Sequence, residues 1–294
     1  MKGVRSIIYL LIFFGITHKV MSQVALLEPA PISSNYMNNK LFVNPAAVRN
    51  DHVYNFNMNR FSYTGIRKVF RSDFFSFYYN NKTNQAFTFQ INAQKKGEWI
   101  NNTSVWAGYI SKISLSKDLS LNGGVNIGFH QMGVAPNPTG ISGNDIAPNA
   151  RIGAQLRSEK FTLGLAVNDF IRNDLTIVDE ANALPLVVHL DAEYVFELNQ
   201  QFDLRVGGLA QLIEKKSVVM NTYILVQFQN NIEVGISAKN IDSFMGLIQY
   251  NNMELMNGNM SFYIGYEAVL RTIKASTSRY SLGLNFSFGE ISKK

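Results

Sequence analysis

From residue 52 to residue 288 apolar and polar side chains alternate almost one for one. Tyr54, Phe56 and Met58 interleave with Asn55, Asn57 and Asn59; Phe87, Phe89, Ile91 and Ala93 interleave with Thr88, Gln90, Asn92 and Gln94. Leu121, Val125, Ile127 and Phe129 are separated by Asn122, Gly124, Asn126 and Gly128 in the same rhythm. A strand turns successive side chains to opposite faces, so each run has one apolar face and one polar or small face. A helical period organises none of them. The pattern predicts about fourteen strands of roughly ten residues each, the length a tilted membrane strand needs. They fall at 52–60, 71–79, 85–94, 103–113, 119–131, 149–157, 161–169, 186–196, 202–213, 218–228, 232–241, 243–250, 259–270 and 280–288.

The connections supply a second test. A barrel with an even number of strands and both chain ends on one side shows short turns at every second connection. The short stretches 80–84, 114–118, 158–160, 197–201 and 229–231 all take even places, and the long ones, 132–148 and 170–185, take odd places. Two depart from the rule: 214–217 is short where length is expected, and 251–258 is long where a tight turn is expected. A soluble β-sandwich also alternates. Yet charged residues make up only 16 % of this chain, against about 25 % in ordinary soluble domains. Aromatic residues are 12 %, with 21 Phe and 13 Tyr. Apolar surface spread thinly over alternating strands satisfies both facts, because lipid accepts only sheets that close on themselves and leave no free edge.

The first residues read differently. Lys2 and Arg5 precede an apolar run from Ile7 to Ile16, and Val20-Met21-Ser22 leads to Gln23. That is the layout of a secretory signal peptide, with cleavage expected before Gln23; the run is shorter than the ~20 residues of a spanning helix. Removing Lys2, Arg5 and Lys19 takes the formal charge from +6 to +3, too mild to point to nucleic acid. The chain has no cysteine, so no disulfide framework stabilises it. Residues 23–51 do not alternate; they lead through Leu41-Phe42-Val43 to Asn44-Pro45-Ala46-Ala47. Asn-Pro initiates a turn and Pro45 keeps Asn44 out of helix, which suits a plug or hatch; a disordered leader is the competing reading.

Candidate chemistry is sparse. Past the signal region the histidines are His52, His130 and His189, and none has a neighbour at metal-ligand spacing. His189 and Asp191 would share a strand face, more simply as a lumen hydrogen-bond pair than as part of a hydrolase. Gly123-Gly124 and Gly207-Gly208 lie inside strands, where glycine relieves crowding rather than cradling phosphate. Residues 140–148, with Asn144 and Asp145, lack the acidic count of a calcium loop. Trp99, Trp106, Tyr63, Tyr78, Tyr79, Tyr109 and Tyr223 are candidates for interfacial aromatic girdles. No catalytic residue, metal or cofactor is expected.

The stretch Ser34-Asn35-Tyr36-Met37-Asn38-Asn39-Lys40-Leu41-Phe42-Val43-Asn44-Pro45-Ala46-Ala47 resembles the opening of the PorP/SprF family of type IX secretion system membrane proteins. Looser similarities follow at Ala107-Gly108-Tyr109, Leu119 to Phe129, Pro148-Asn149-Ala150 and the final strand. The family usually continues Asn-Pro-Ala with an aromatic residue and a glycine, where this chain has Ala47-Val48-Arg49-Asn50. The resemblance singles out Tyr36, Met37, Asn44, Pro45 and Ala46 as a family motif. The last strand, with Leu284, Phe286 and Phe288, has the form of an outer-membrane assembly signal, although six residues follow it. Together these readings give an all-β, transmembrane antiparallel barrel of about fourteen strands over 52–288. A signal peptide over 1–22, a plug segment over 23–51 and a periplasmic tail over 289–294 complete it. The resemblance implies a non-catalytic protein of the Bacteroidota outer membrane that assists secretion or surface anchoring. Its cargo would carry a type-B C-terminal sorting domain, as gliding adhesins do, and its partners would be lipid, cargo and components of the periplasmic ring, with no nucleic acid. A transporter for small or hydrophobic compounds is the alternative.

Overall fold

The computed structural model describes residues 36–48, 52–64, 70–81, 84–136, 142–171, 174–177, 180–214, 218–240, 243–255, 258–269 and 278–290. The expected signal peptide, residues 23–35 and residues 291–294 lie outside the described residues. A 3-10 turn (Tyr36–Asn38) and a single helical turn, α1 (Lys40–Val43), come first. The strands follow: β1 (His52–Thr64), β2 (Phe70–Asn80), β3 (Gln85–Lys96), β4 (Ile100–Ser114), β5 (Leu119–Val134), β6 (Gly143–Ser158), β7 (Phe161–Asn168) and β8 (Asp174–Ile177). Then come β9 (Glu180–Ala183), β10 (Val187–Glu197), β11 (Phe202–Ile213), β12 (Val218–Phe228), β13 (Ile232–Lys239), β14 (Ser243–Leu255), β15 (Gly258–Val269) and β16 (Ser278–Glu290).

Fourteen of these strands form one closed antiparallel barrel, in which β1 pairs with β2 on one side and β16 on the other. β8 and β9 stand apart as a hairpin within the connection from β7 to β10. All fourteen expected strands are present. Closure leaves every strand paired on both sides, the only form in which a sheet crosses lipid without orphaned backbone groups.

The distribution of polarity excludes the sandwich. Ile127, Ile236 and Met58 are 66 %, 60 % and 57 % exposed, whereas Asn122, Gln90 and Glu267 are 0 %, 1 % and 1 % exposed. A water-soluble sheet buries the first set and exposes the second. Here the apolar face of each strand points outward and the polar face points into the lumen, as lipid outside and hydrogen-bonding neighbours inside require. Arg60, Arg71 and Asp73 form outward ion pairs near the upper ends of β1 and β2, with Asp73 within 2.6 Å of each arginine. Charges there place the edge of the lipid band on this side.

The even connections are now uniformly short: 81–84, 115–118, 159–160, 198–201, 229–231 and 256–257. The expected long stretch at 251–258 is mostly strand. β14 runs to Leu255 after its pairing with β15 shifts between Tyr250 and Met253, and this bulge disguised the alternation. The expected external loop at 132–148 is likewise strand at both ends, since β5 reaches Val134 and β6 starts at Gly143. Pro148 made that stretch read as a loop. It is tolerated because the regular pairing of β6 with β7 begins only at Arg151, so the proline nitrogen interrupts no β6–β7 ladder bond.

The aromatic girdle also differs from expectation. Trp106, Tyr78 and Tyr223 are buried in the lumen at 1 %, 6 % and 2 % exposure; the side chain of Tyr63 lies outside the described set. Trp99 and Tyr109 are exposed. The outward rings concentrate toward the short-turn end in contacting pairs: Tyr54 with Tyr79 and Phe288, Phe56 with Phe77, Phe202 with Phe228, and Tyr250 with Phe262. Phenylalanine contributes more to this belt than the tyrosines and tryptophans singled out in the sequence.

Candidate functional site

Residues 36–48 lie inside the barrel and cross it. Tyr36, Met37 and Val43 join Leu209, Tyr223, Leu225, Leu247 and Tyr263 in one apolar cluster. On the other side Leu41 and Val48 pack with Tyr78, Ala86 and Ile110. Phe42 meets Phe74 edge to face at 5.2 Å. The segment therefore touches opposite walls of the lumen, β1 to β4 on one side and β11 to β15 on the other.

The Asn-Pro-Ala motif has a structural explanation. Asn44 Oδ1 accepts the backbone N–H of Ala46 at 2.9 Å, closing an Asx-type turn, while its Nδ2 donates to the carbonyl of Ala154 on β6 at 3.0 Å. Pro45 brings no donor that would need a partner, and Ala46 is fully buried. The wall opposite carries glycine. Gly124 and Gly153 are cross-strand partners on β5 and β6, and a Cβ on Gly124 would lie 2.6 Å from the Pro45 carbonyl carbon. On β7, a Cβ on Gly164 would lie 2.8 Å from Asn44 Nδ2. The bend sits in a notch cut by missing side chains. Of the strand glycines noted in the sequence, Gly124 therefore makes room for the segment, while Gly123 faces open space.

Polar side chains from the wall secure the rest. Asn168 Nδ2 donates to the Val43 carbonyl at 3.1 Å, Arg151 Nη1 to the Phe42 carbonyl at 3.3 Å, and Arg157 Nη1 to the Val48 carbonyl at 3.4 Å. Asn57 Nδ2 donates to the Asn38 carbonyl at 3.0 Å. These wall donors take up carbonyls of α1 and its flanks that an isolated helical turn leaves free. Arg151 also lies over Trp106, its guanidinium carbon 3.7 Å from the ring centroid. An ion-pair group holds the segment between these anchors: Lys40 Nζ donates to Glu193 Oε2 at 3.0 Å, and Arg205 bridges Glu193 and Glu233 at 3.1 and 2.9 Å. The Tyr223 hydroxyl donates to the same Glu193 oxygen. Burial pushes the Lys40 ammonium pKa down, with the Glu193 charge opposing it. Burial also raises the Tyr36 hydroxyl well above 10.0, helped by Asp191 and Glu193.

Of the residues named from the sequence, Tyr36, Met37, Asn44, Pro45 and Ala46 meet in the lumen. Leu284, Phe286 and Phe288 lie on the outward face of β16, at the seam with β1. His189 does not pair with Asp191 as expected; its Nε2 is 3.0 Å from Asn168 Nδ2. The structure instead aligns a chain not anticipated from the sequence. Ser104 Oγ is 2.7 Å from His130 Nδ1, and His130 Nε2 is 2.8 Å from Asp169 Oδ1. The turn at 115–118 fixes the β4–β5 register that pairs Ser104 with His130, so half of this contact was recoverable from the sequence. Asp169, just past β7, was not. The Ser104, His130 and Asp169 chain reads as a tie between β4, β5 and the end of β7.

Below the segment a cavity of about 450 Å³ opens at the short-turn end. Met37, Asn38, Asn39, Lys40 and Leu41 roof it, and Glu159, Asn230 and Asn252 stand around its mouth.

A closed barrel with a lipid-facing apolar exterior and a polar, occupied lumen defines the class: an outer-membrane β-barrel. The sequence model described as type IX secretion system membrane protein PorP/SprF matches residues 28–287, and the chain belongs to that family. No curated protein matches the chain. Among solved structures it is similar to the CymD monoaromatic hydrocarbon channel (TM-score 0.57, 10 % identity, covering 88 % of this chain and 94 % of that one). It is also similar to the Ralstonia pickettii toluene transporter TbuX (TM-score 0.55, 10 % identity, 88 % and 94 % covered) and a Pseudomonas aeruginosa FadL homologue (TM-score 0.54, 11 % identity, 85 % and 94 % covered). At such identities the likeness is one of fold.

Proposed function

We propose that this protein is an accessory barrel of type IX secretion that helps to export or anchor cargo at the cell surface, with residues 36–48 acting as a resident plug. The observation that carries this reading is the filled lumen. Asn44, Pro45 and Ala46 are seated in a glycine notch, and Lys40 is tied to Glu193. A channel for passive uptake needs a continuous path, whereas a secretion accessory can be plugged. The cargo would be large proteins with a type-B C-terminal sorting domain, gliding adhesins among them. The 135–142 connection and the β8–β9 hairpin, at the end opposite the short turns, would meet it outside. The short turns and both chain ends would face the periplasm, where ring components are the partners, after export through the signal at 1–22.

Deleting the gene tests this: export and surface display of a type-B adhesin should fall, and undiminished display would refute the role. The fold neighbours include channels named for hydrocarbons, so uptake is the rival. The purified barrel in planar bilayers should show little steady conductance, and a stable open channel would favour the rival.

A further inference from the structure

The cavity under the plug has a composition that specifies a ligand. Its lining holds nine asparagines and three glutamines, distributed over the plug, β1, the wall that runs from Gln227 on β12 through Gln249 on β14 to β16, and Gln155 on β6 across the lumen. The charged lining residues balance: Lys40, Arg157 and Arg205 against Glu159, Glu193 and Glu233. No net field selects an ion. Each primary amide instead offers donors and an acceptor, the complement of another amide. Two lining side chains, Gln249 and His52, each carry a buried acceptor-capable atom without a partner, Oε1 and Nδ1, and rotation of either side chain toward the cavity would offer that atom to an incoming N–H. The volume is within the usual range of ligand cavities, about 300–1,000 Å³, and admits a few residues of extended chain at ~3.3 Å each.

We propose that this vestibule binds an extended polypeptide segment of no net charge, gripped through its backbone amides by the asparagine and glutamine side chains. A closed barrel has no strand edge to lend, so β-augmentation is ruled out and side-chain amides must do the holding. A glycan is the other neutral hydrogen-bonding chain. It would want exposed aromatic faces to cover its C–H side; the lining tyrosines Tyr78 and Tyr263 are both buried at 6 % exposure, and Phe161 adds one half-buried ring. The occupant would reach the roof at Lys40 and Glu193, the ion pair that fixes the plug. This inference deepens the proposed function, which supplies the compartment from which the polypeptide comes.

The chain has no cysteine, so Glu159→Cys at the rim accepts one environment-sensitive bimane label. The purified full-length barrel in detergent is titrated with a capped nonapeptide of glycine, serine and asparagine, and separately with chitotetraose. A saturable fluorescence shift with the peptide, none with the sugar, and at least tenfold weaker binding in Gln227→Ala/Gln249→Ala are expected. Heat-modifiable gel mobility reports that the variant is folded; if the pair is not, Gln227→Ala alone serves, with the same expectation of weaker binding. No saturable response to peptide, an equal response to chitotetraose, or undiminished binding in a folded variant would overturn the inference. An impermeant maleimide on cells separates this from the orientation. Labelling of Glu159→Cys in intact cells would sink the periplasmic placement while leaving the binding result standing.

Discussion

Replacing Gly124 by valine should unseat the plug and leave the barrel intact. The backbone at Gly124 is not in the left-handed region, where the described glycines are Gly97 and Gly289, and a β-branched residue suits a strand. The strain falls on the lumen side, where a Cβ would stand 2.6 Å from the Pro45 carbonyl carbon and 2.7 Å from the Ala46 nitrogen. Carbon atoms rest at about 3.5–4.0 Å, so the segment must retreat by roughly 1 Å. Such overpacking costs about 1–3 kcal/mol. The retreat also loosens the Asn122 to Ala46 and Asn44 to Ala154 hydrogen bonds, at 3.4 and 3.0 Å; each is worth about 0.5–1.5 kcal/mol. A total of about 2–6 kcal/mol lowers the seated-to-unseated ratio by between about 30-fold and about 20,000-fold, at 1.4 kcal/mol per decade. Planar-bilayer recording should show openings that the parent protein lacks, at unchanged heat-modifiable mobility. Parental conductance together with unchanged protease protection of residues 36–48 would refute the notch as the seat.

Four further outcomes are expected. Glu193→Ala strips Lys40 of its carboxylate in a half-buried pair, weakening the plug by about 2–4 kcal/mol, and should raise conductance without unfolding the barrel. Burial alone would raise the Asp169 pKa, but the hydrogen bond and charge of His130, with Arg151 and His189, hold it below the ordinary 3.8. Because the folded value is depressed, its contribution is complete above 3.8 and disappears as pH falls through the lower folded value. Fluorescence of Trp106, whose ring is 5.0 Å from His130, should then change in acid, and Asp169→Asn should abolish that transition. Phe288→Ala removes stacking on Tyr54 and Phe56, at 4.8 and 6.0 Å, worth about 0.5–1.5 kcal/mol per ring pair, and should reduce the heat-modifiable fraction in membranes. A fluorophosphonate probe should leave Ser104 unlabelled; covalent modification lost in Ser104→Ala would reopen the enzyme reading.

The strands were legible because alternation is a local signal, and lipid on one side with crowded amides on the other keeps it clean from Tyr54 to Phe288. It failed where local signals conflict with pairing. The bulge at Tyr250 to Met253 broke the period, and Pro148 reads as a terminator although β6 runs straight through it, paired with β5. The girdle failed for a related reason: Trp106 and Tyr223 have interfacial residue types, but strand parity turns them inward against Arg151 and Glu193. The motif was visible as residues, yet its seat was not. Gly124, Gly153 and Gly164 are brought under Asn44 and Pro45 only by the register of three strands far along the chain. Asp169 likewise meets His130 through tertiary geometry alone.

The seam between β1 and β16 governs the order of construction. The first spanning strand cannot complete its pairing until the last has been made, so no smaller cylinder can form on the way. In the closed cylinder residues 36–48, ahead of β1, lie on its concave side. The wall encloses its filling, and evicting that filling means drawing a segment anchored at β1 through a finished mouth.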